Sequence, residues 1–310
     1  MVLTVTLNPA IDKTIELEKF VPKSLNKVIC THQDVGGKGI NVSKVLRMLG
    51  TDSLALGFIA GQAGRFIEDK LREMDIETAF VKIDGETRTN LKIFDQSEKE
   101  ITEINEPGAS ATEENLLKLI DVLNDNISKD TIVVLSGSAP KSLGDDVYEK
   151  LTSHSKSLGA KVFLDVDGKW FNQGIKAKPD FIKPNRSELE HYFGEKIDNE
   201  EKMVRAIQYF LELGIENVFV TLGTEGAYFG SDSAIYKMEP IKVDAHSSVG
   251  AGDAFVGAIV HAICTELDIE SLLKLAVATS AGAVTTTGTK PPEYGWIEAH
   301  FDKVKLKKIN

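Results

Sequence analysis

Short apolar runs rich in β-branched residues alternate with segments of helical periodicity along most of the chain. Core strands are predicted at residues 2–7, 54–59, 131–135, 161–164, 180–182 and 217–221. Helices are predicted between them at residues 38–49, 63–74, 113–124, 145–157 and 200–213. This alternation is typical of an α/β fold in which helices cover a mostly parallel sheet. Ligands of such sheets bind at the carboxyl ends of the strands, so the loops that follow the strands are the places to search.

Two segments, residues 13–34 and 87–104, break this alternation and predict pairs of short strands with no helix between them. In the second segment Leu91 and Ile93 alternate with polar residues, so one face of the resulting sheet is apolar. Such a sheet can close over a cleft as a lid, form a dimer surface, or do both. We therefore expect one domain over residues 1–310, with lid strands inserted at these two places.

The charge balance limits the classes of partner. The chain of 310 residues carries 36 Lys and Arg against 47 Asp and Glu, a formal net charge of −11. This excess of negative charge argues against non-specific binding to nucleic acid or to an anionic membrane. The longest nearly apolar run, residues 254–264, is too short to span a bilayer.

The few cysteines point to a reducing compartment, and the cysteines and histidines together bear on metal binding. Cys30 and Cys264 cannot form a disulfide framework. Neither the cysteines nor the six histidines show the spacing of a metal site. We therefore expect a cytoplasmic protein without a zinc site.

The most distinctive local pattern is Ser248-Val249-Gly250-Ala251-Gly252-Asp253, which precedes an apolar helical run. Glycine lets the backbone approach a ligand closely, and the free N–H groups at a helix start attract anions. Asp253 lies in the first turn of this predicted helix. It can simply complement the helix dipole, or it can act as general base for a hydroxyl beside a phosphate that is being transferred. The spacing alone leaves both interpretations open.

A second glycine-rich segment, Gly36-Gly37-Lys38-Gly39, opens the helix predicted at residues 38–49. It is not a Walker A motif, because no GxxxxGK[ST] pattern occurs in the chain. It can be a turn with a solvated lysine, or a place where a sugar or its phosphate approaches the backbone and hydrogen-bonds to Asn41. Asp12, after the first strand, can accept hydrogen bonds from two vicinal hydroxyls or form an Asx turn.

Polar residues also accompany several other predicted strands. Asn185 and Glu188 can form a helix cap, or they can lie near ATP phosphates with Glu188 holding Mg²⁺ through water. The glycines of Thr221-Leu222-Gly223-Thr224-Glu225-Gly226 suit a turn between strands or a nucleotide phosphate. Lys141 and Arg88 can each bind a phosphate or remain solvated.

In this order, the motifs resemble those of the ribokinase-like carbohydrate kinases, also called the PfkB family, from the first strand to beyond Gly282. The joint presence of Gly36-Gly37-Lys38-Gly39 and Gly250-Ala251-Gly252-Asp253 is the most specific part of the resemblance. It implies a three-layer α/β/α fold with a small β-sheet lid, ATP and Mg²⁺ as cofactors and, in some members, a homodimer formed through the lid. The motifs at residues 8–12, 87–90, 136–138 and 183–186 look like those of the branch that phosphorylates sugar phosphates.

The resemblance also implies roles for individual residues. Asp253 becomes the catalytic base, and Gly250, Ala251 and Gly252 become an anion hole. The residues implied at the sugar phosphate are Asp12, Gly37, Lys38, Asn41, Arg88, Lys27 and Lys141. The residues implied at ATP are Lys183, Asn185, Glu188, Thr221, Gly223, Gly226 and Ser248, with Mg²⁺ held by Glu188 through water.

The reaction implied is the ATP-dependent phosphorylation of fructose 1-phosphate to fructose 1,6-bisphosphate. Tagatose 6-phosphate is the alternative acceptor, and a non-catalytic sugar-phosphate-binding protein is the alternative to an enzyme. The sequence departs from the family pattern at two places. Ser248-Val249 stands where the wider family often has Asp-Thr, which fits the phosphosugar branch, and Ala254 stands where this branch often has Ser, which leaves the base in place.

Overall fold

The apolar runs of the sequence form the strands of a large central sheet. A computed structural model describes residues 1–244 and 249–309 of the chain. Its strands are β1 (Val2–Thr6), β2 (Ala10–Leu17), β3 (Cys30–Gly36), β4 (Leu54–Ala60), β5 (Glu77–Ile83), β6 (Arg88–Asp95), β7 (Glu100–Ile104), β8 (Ile132–Ser136), β9 (Lys161–Asp165), β10 (Phe181–Ile182), β11 (Asn217–Thr221), β12 (Ala227–Ser231), β13 (Ala234–Met238) and β14 (Leu306–Lys308).

The α-helices lie mostly between these strands in the sequence. They are α1 (Lys38–Leu49), α2 (Gly61–Glu73), α3 (Glu113–Asn126), α4 (Val147–Ser157), α5 (Gly168–Gly174), α6 (Arg186–Phe193), α7 (Glu200–Glu212), α8 (Ala251–Cys264), α9 (Ile269–Ala283) and α10 (Tyr294–Phe301). Over the described residues, none of them combines the length and the hydropathy that crossing a lipid bilayer requires.

The large sheet has the strand order β14-β13-β12-β11-β10-β9-β8-β1-β4-β5. The seven strands from β11 to β5 run parallel, whereas β12, β13 and β14 are antiparallel at one edge. The α/β class and the mostly parallel sheet expected from the sequence are confirmed. The carboxyl ends of the parallel strands share one edge, where the loops after β8, β9, β10 and β11 meet.

The alternation of side chains along each strand divides the core into two layers. Within β8, Val133 and Leu135 belong to the same apolar cluster as buried residues of α3, α4 and α7. Ile132 and Val134 point to the other face and share a cluster with α1, α8 and α9. Helices therefore cover both faces of the sheet, because each buried parallel strand has two apolar sides.

The two segments that break the alternation form a separate four-stranded sheet of order β3-β2-β6-β7, here called the lid sheet. Its first strand begins at Ala10, three residues before the predicted segment. In β2, Asp12 lies opposite Asp34 of β3 and Asn90 of β6. Because side chains alternate along a strand, Asp12 and Glu16 point to the same face of this sheet.

Candidate active site

Asp253 lies in the first turn of α8 and is only 7% exposed. Gly250 begins this helix with a φ of 83°, a left-handed conformation that favours glycine. Among the described residues no side chain caps α8, so the N–H groups of its first turn are available to an anion. Asn41 Nδ2, from α1, donates to Asp253 Oδ2 at 2.7 Å. The residues predicted as base and anion hole therefore meet at one helix start, and Asn41 orients the carboxylate.

The surroundings of Asp253 make it a stronger base than an exposed aspartate. Burial, and after it the negative charge of Asp165, raise the pKa of Asp253 to about 6. Lys38, the hydrogen bond from Asn41 and Lys183 act in the opposite direction. A carboxyl group with this pKa is ionised at pH 7 and still accepts a proton readily, which suits a general base.

Asp165 ends β9 and lies between two lysines. Its Oδ1 is 3.2 Å from Lys183 Nζ and 3.6 Å from Lys38 Nζ. Burial acts to raise the pKa of Asp165, but the charges of Lys183 and Lys38 outweigh it and hold the pKa below its ordinary value. Asp165 was not among the predicted site residues, because the strand predicted from the sequence ended at residue 164. A strand one residue longer places Asp165 at the carboxyl edge, where ligands of parallel sheets bind.

Lys38, which was predicted to lie beside the phosphate of the sugar, forms an ion pair with Asp165. Its ammonium group faces Asp165, and the charges of Asp165, Asp253 and Glu188 raise its pKa against the effect of burial. Lys183, the residue after β10, reaches the same place, since a Cβ on Gly252 would lie 3.3 Å from its Nζ. Two cations therefore flank the start of α8. We call Asp253, Asn41, Asp165, Lys38 and Lys183 the transfer cluster.

Asp12 is held on the lid sheet by two neighbours from β6. Asn90 Nδ2 donates to Asp12 Oδ1 at 3.1 Å, and Lys92 Nζ lies 3.4 Å from Asp12 Oδ2. Position 36 requires glycine, because a Cβ there would lie 2.7 Å from Asp12 Oδ2. The sequence predicted Asp12 but not these two partners, which the register of β2 and β6 brings together from 78 and 80 residues away.

Arg88 begins β6 beside this carboxylate. Its Nη2 donates to the carbonyl oxygen of Asn8 at 3.0 Å, and its Nη1 donates to that of Glu106 at 3.3 Å. Burial lowers the pKa of Arg88, while the charge of Asp12 acts in the opposite direction. Arg88 therefore brings a positive charge close to Asp12, at the junction of the lid sheet with the loop after β1.

Lys44, which the sequence analysis did not single out, links the transfer cluster to the lid sheet. It lies inside α1 with 7% exposure, and its Nζ donates to the Val35 carbonyl oxygen, to Asn41 Oδ1 at 3.2 Å and to Thr289 Oγ1 at 3.2 Å. Burial lowers the pKa of Lys44 to about 8, although Asp34, Asp12 and Asp253 act to raise it. A lysine in a helix usually extends into solvent, so the sequence carried no signal for this role.

We expect Lys44→Met to lower kcat roughly tenfold, because Asn41 loses the charged donor that orients it toward Asp253. The KM for ATP should remain unchanged. In the wild type, kcat should fall as pH rises through about 8, where Lys44 loses its charge, and this alkaline decrease should be absent from the variant. Lys44→Arg should restore part of the rate. Identical pH profiles in wild type and Lys44→Met would mean that Lys44 only fills space.

Asn185 and Glu188 form a complete capping box at the start of α6. Glu188 N donates to Asn185 Oδ1, Asn185 N donates to Glu188 Oε2, and Asn185 Nδ2 donates to Glu188 Oε1, all at 2.8–2.9 Å. The capping interpretation left open by the sequence is thus part of the structure. Burial raises the pKa of Glu188, while Lys183 and Lys38 counteract it. The carboxylates of Glu188 and Asp165 supply the oxygen donors that Mg²⁺ prefers, so these residues fit a magnesium ion held partly through water.

The loop after β11 adjoins this helix start. Thr221 pairs with Asn185 as an isolated bridge, and Gly223 and Gly226 bound a short turn into the antiparallel strand β12. Arg186 and Glu225 close the two loops with a bidentate ion pair, Nη1 to Oε1 at 2.7 Å and Nη2 to Oε2 at 2.8 Å. The loops predicted to hold ATP are therefore neighbours.

Four remaining predicted residues take varied positions. Gly37 precedes α1 as its N-cap residue. Lys27 is exposed in the loop between β2 and β3, and Lys141 is exposed after β8; within residues 1–244 and 249–309 neither forms an ion pair. Ser248 lies outside the described residues.

The sequence of the chain matches one known protein family over most of its length. The family model for pfkB family carbohydrate kinases matches residues 5–294. The chain belongs to this family. The expectation of a carbohydrate kinase, drawn from the glycine motifs, is confirmed.

Two curated relatives of this pfkB family member match it over its whole length. A 1-phosphofructokinase of Bacillus subtilis is 34% identical over 309 residues, covering 100% of both chains. A 1-phosphofructokinase of Borreliella burgdorferi is 35% identical over 310 residues, covering 100% of this chain and 99% of the other. The crystal structure of phosphofructokinase-2 from Escherichia coli in complex with potassium has a TM-score of 0.93 at 24% identity, over 97% of this chain and 98% of that one. At that identity the last likeness concerns the fold alone.

Proposed function

We propose that this kinase transfers the γ-phosphoryl group of ATP to fructose 1-phosphate, which gives fructose 1,6-bisphosphate and ADP. The observation that carries the chemistry is Asp253, a buried carboxylate with its pKa raised to about 6, at the start of α8, which no described side chain caps. The names of the full-length relatives support the choice of sugar phosphate. Tagatose 6-phosphate is the second candidate acceptor, because it differs from the first only in phosphate position and one stereocentre.

The transfer cluster supplies the parts of an in-line phosphoryl transfer. Asp253 takes the proton of the acceptor hydroxyl while the oxygen attacks the γ-phosphorus, and the bond to the leaving oxygen of ADP breaks. The N–H groups at the start of α8, with Lys38 and Lys183, stabilise the negative charge on the transferred group. Mg²⁺, when bound, would neutralise charge on the ATP phosphates, with Glu188 as its nearest protein partner through water.

The lid sheet would hold the sugar on the side of the transferred phosphoryl group that faces away from ADP. Asp12, oriented by Asn90 and Lys92, accepts hydrogen bonds from sugar hydroxyls. Arg88 and Lys92 offer the positive charge that the phosphate of the sugar needs. A lid that closes over the sugar excludes water, which otherwise competes as the acceptor.

The proposal extends to assembly and location. The lid sheet and its loops expose apolar side chains, among them Leu25 at 87%, Ile29 at 56% and Ile104 at 52%, which supports a homodimer formed through the lid. Sedimentation that finds a monomer at micromolar concentration would exclude this dimer.

The two free cysteines fit a reducing, cytoplasmic location.

The decisive experiment is a substrate panel with coupled detection of ADP. Purified protein is given ATP and Mg²⁺ with fructose 1-phosphate, tagatose 6-phosphate or fructose 6-phosphate. We expect the highest kcat/KM with fructose 1-phosphate. A preference for tagatose 6-phosphate would select the second candidate, and no ADP with any sugar phosphate would select a non-catalytic binding protein.

We expect Arg88→Ala to raise the KM for the sugar phosphate by roughly 10- to 100-fold, because a charge-assisted hydrogen bond to the phosphate is lost. The KM for ATP should change little. Arg47→Ala, which removes a surface arginine paired with Asp52 and Asp75, serves as the control and should change neither constant. An equal rise in both constants for Arg88→Ala would remove this residue from the sugar site.

A further inference from the structure

Three metal-ligating side chains meet on the lid sheet, outside the transfer cluster. Glu16 of β2 lies directly opposite Cys30 of β3, and His32 follows Cys30 by two residues. Since side chains two residues apart share a face, Cys30 and His32 lie side by side. One ligand atom of each of the three residues lies within 4.8 Å of the other two. The cluster is about 13 Å from Asp12 along β2, at 3.3 Å per residue over four residues.

The separations in this cluster match those around a tetrahedral zinc ion. Zinc lies about 2.3 Å from sulfur and about 2.0–2.2 Å from nitrogen or oxygen, so tetrahedral ligand atoms are about 3.4–3.6 Å apart. Cys30 Sγ is 3.5 Å from His32 Nε2, and His32 Nε2 is 3.5 Å from Glu16 Oε1. Two ligand pairs therefore already have the spacing that zinc imposes, and the third pair, Glu16 and Cys30, lies within 4.8 Å.

A neighbouring residue orients the carboxylate of this cluster. Gln96 Nε2 donates to Glu16 Oε2 at 3.2 Å, which leaves Oε1 as the oxygen that faces His32. Hydrogen bonds of this kind fix the orientation of metal ligands in known metal sites. The side chain of His32 is 57% exposed, so an ion can enter from solvent and a water can complete the fourth coordination position.

We propose that Glu16, Cys30 and His32 bind one Zn²⁺ per chain on the lid sheet. A thiolate, an imidazole and a carboxylate form a donor set that selects zinc over Mg²⁺ and Ca²⁺, which prefer oxygen ligands alone. On binding, the Cys30 thiol releases its proton to solvent and His32 coordinates as a neutral imidazole. The ion links β2 to β3 on the face of the lid sheet that carries Asp12.

The sequence alone did not predict a zinc site, because these three ligands lack the regular spacing of a metal-binding motif. Cys30 and His32 are separated by one residue, and the third ligand lies 14 residues before Cys30. Only the register of the β2–β3 pair, with Glu16 opposite Cys30, brings the three residues together.

Cobalt and zinc titrations test this site directly. The full-length protein is stripped with a chelator and titrated with Co²⁺, which reports a bound thiolate through a sulfur-to-cobalt charge-transfer band. Zn²⁺ is then added in competition. We expect one Co²⁺ per chain, a thiolate band, and displacement by one equivalent of Zn²⁺ but not by excess Mg²⁺.

Variants separate this site from adventitious binding. Cys30→Ser and His32→Ala should weaken zinc binding by more than about 100-fold, and Gln96→Ala should weaken it by about tenfold. Cys264→Ser, which removes the other free cysteine, is the matched control and should bind as the wild type does. Circular dichroism checks that each variant is folded. Equal zinc affinity in Cys30→Ser and Cys264→Ser, or a cobalt spectrum without a thiolate band, would overturn the proposal.

Discussion

Asp253→Asn is expected to lower kcat by roughly 100- to 10,000-fold, the range attributed to a general base. The asparagine side chain has the same shape and still accepts the hydrogen bond from Asn41, so the variant loses the ability to take a proton and little else. Steady-state rates with ATP and fructose 1-phosphate measure the effect. A variant with near-wild-type kcat would show that Asp253 is not the base.

The same variant should be more stable than the wild type near neutral pH. An ordinary aspartate has a pKa of 3.8, and burial raises that of Asp253 to about 6. The folded protein therefore holds this proton more tightly than the unfolded chain, so stability from the protonated group is present below pH 3.8 and is lost as pH rises to about 6. A pKa difference of about two corresponds to about 3 kcal/mol.

Denaturant unfolding at several pH values checks this relation between base strength and stability. Above about pH 6, Asp253→Asn should unfold with up to about 3 kcal/mol more free energy than the wild type, and the difference should shrink as the pH falls. Asp232→Asn, in the exposed turn between β12 and β13, is the control and should show no such pH-dependent gain. If the wild type and Asp253→Asn were equally stable at pH 8, the carboxylate would not be destabilised by its site.

Sequence reasoning found residues that lie within a distinctive local pattern. Asp253 follows two glycines at a helix start, and Asp12 follows the first strand, so local spacing selected both as candidates, while their roles came from the family resemblance. Six of the seven parallel strands were predicted for the same reason, because each has its own apolar run, whereas β5 at the edge of the sheet was missed. The antiparallel edge was harder to predict. Its outermost strand, β14, has only three residues, and α8, α9 and α10 separate it in the sequence from its partner β13.

The residues that sequence reasoning missed depend on contacts between distant segments. Lys44 has no special local pattern, and its role arises from Thr289, 245 residues away, and from the turn of α1 that carries Asn41. Asp165 was not identified because the predicted end of β9 was one residue too early. Lys38 illustrates a different limit: its glycine-rich segment was recognised, but the direction of its long side chain depends on Asp165.

Asp165→Asn is expected to destabilise the protein by about 3–5 kcal/mol, the effect of breaking a buried ion pair. Asp165 is 2% exposed, and Lys183, one of its two partners, is 6% exposed. Removing the carboxylate leaves two ammonium groups close together without the ion-pair partner that they share. Unfolding in denaturant at pH 7 measures the loss.

The same substitution should also lower the pKa of Asp253 and thereby shift the pH dependence of catalysis. The charge of Asp165 raises the pKa of Asp253, whereas Lys38 and Lys183 lower it. Without Asp165 one of the two effects that raise this pKa is lost while the attraction of both lysines remains, so the pKa of Asp253 falls. The acid limb of kcat/KM, near pH 6 in the wild type, should therefore move to lower pH in Asp165→Asn.

A second carboxylate–lysine pair separates these two effects. Asp180 pairs with Lys156 at 2.8 Å and precedes β10, so it lies at the amino edge of the sheet, opposite the transfer cluster. Asp180→Asn should lower stability but leave the acid limb unchanged, because its charge does not reach Asp253. An acid limb that stays in place in Asp165→Asn, or that moves equally in Asp180→Asn, would show that Asp165 does not set the basicity of Asp253. A shift confined to Asp165→Asn would identify one buried carboxylate as both a structural partner of two lysines and the group that tunes the proposed base.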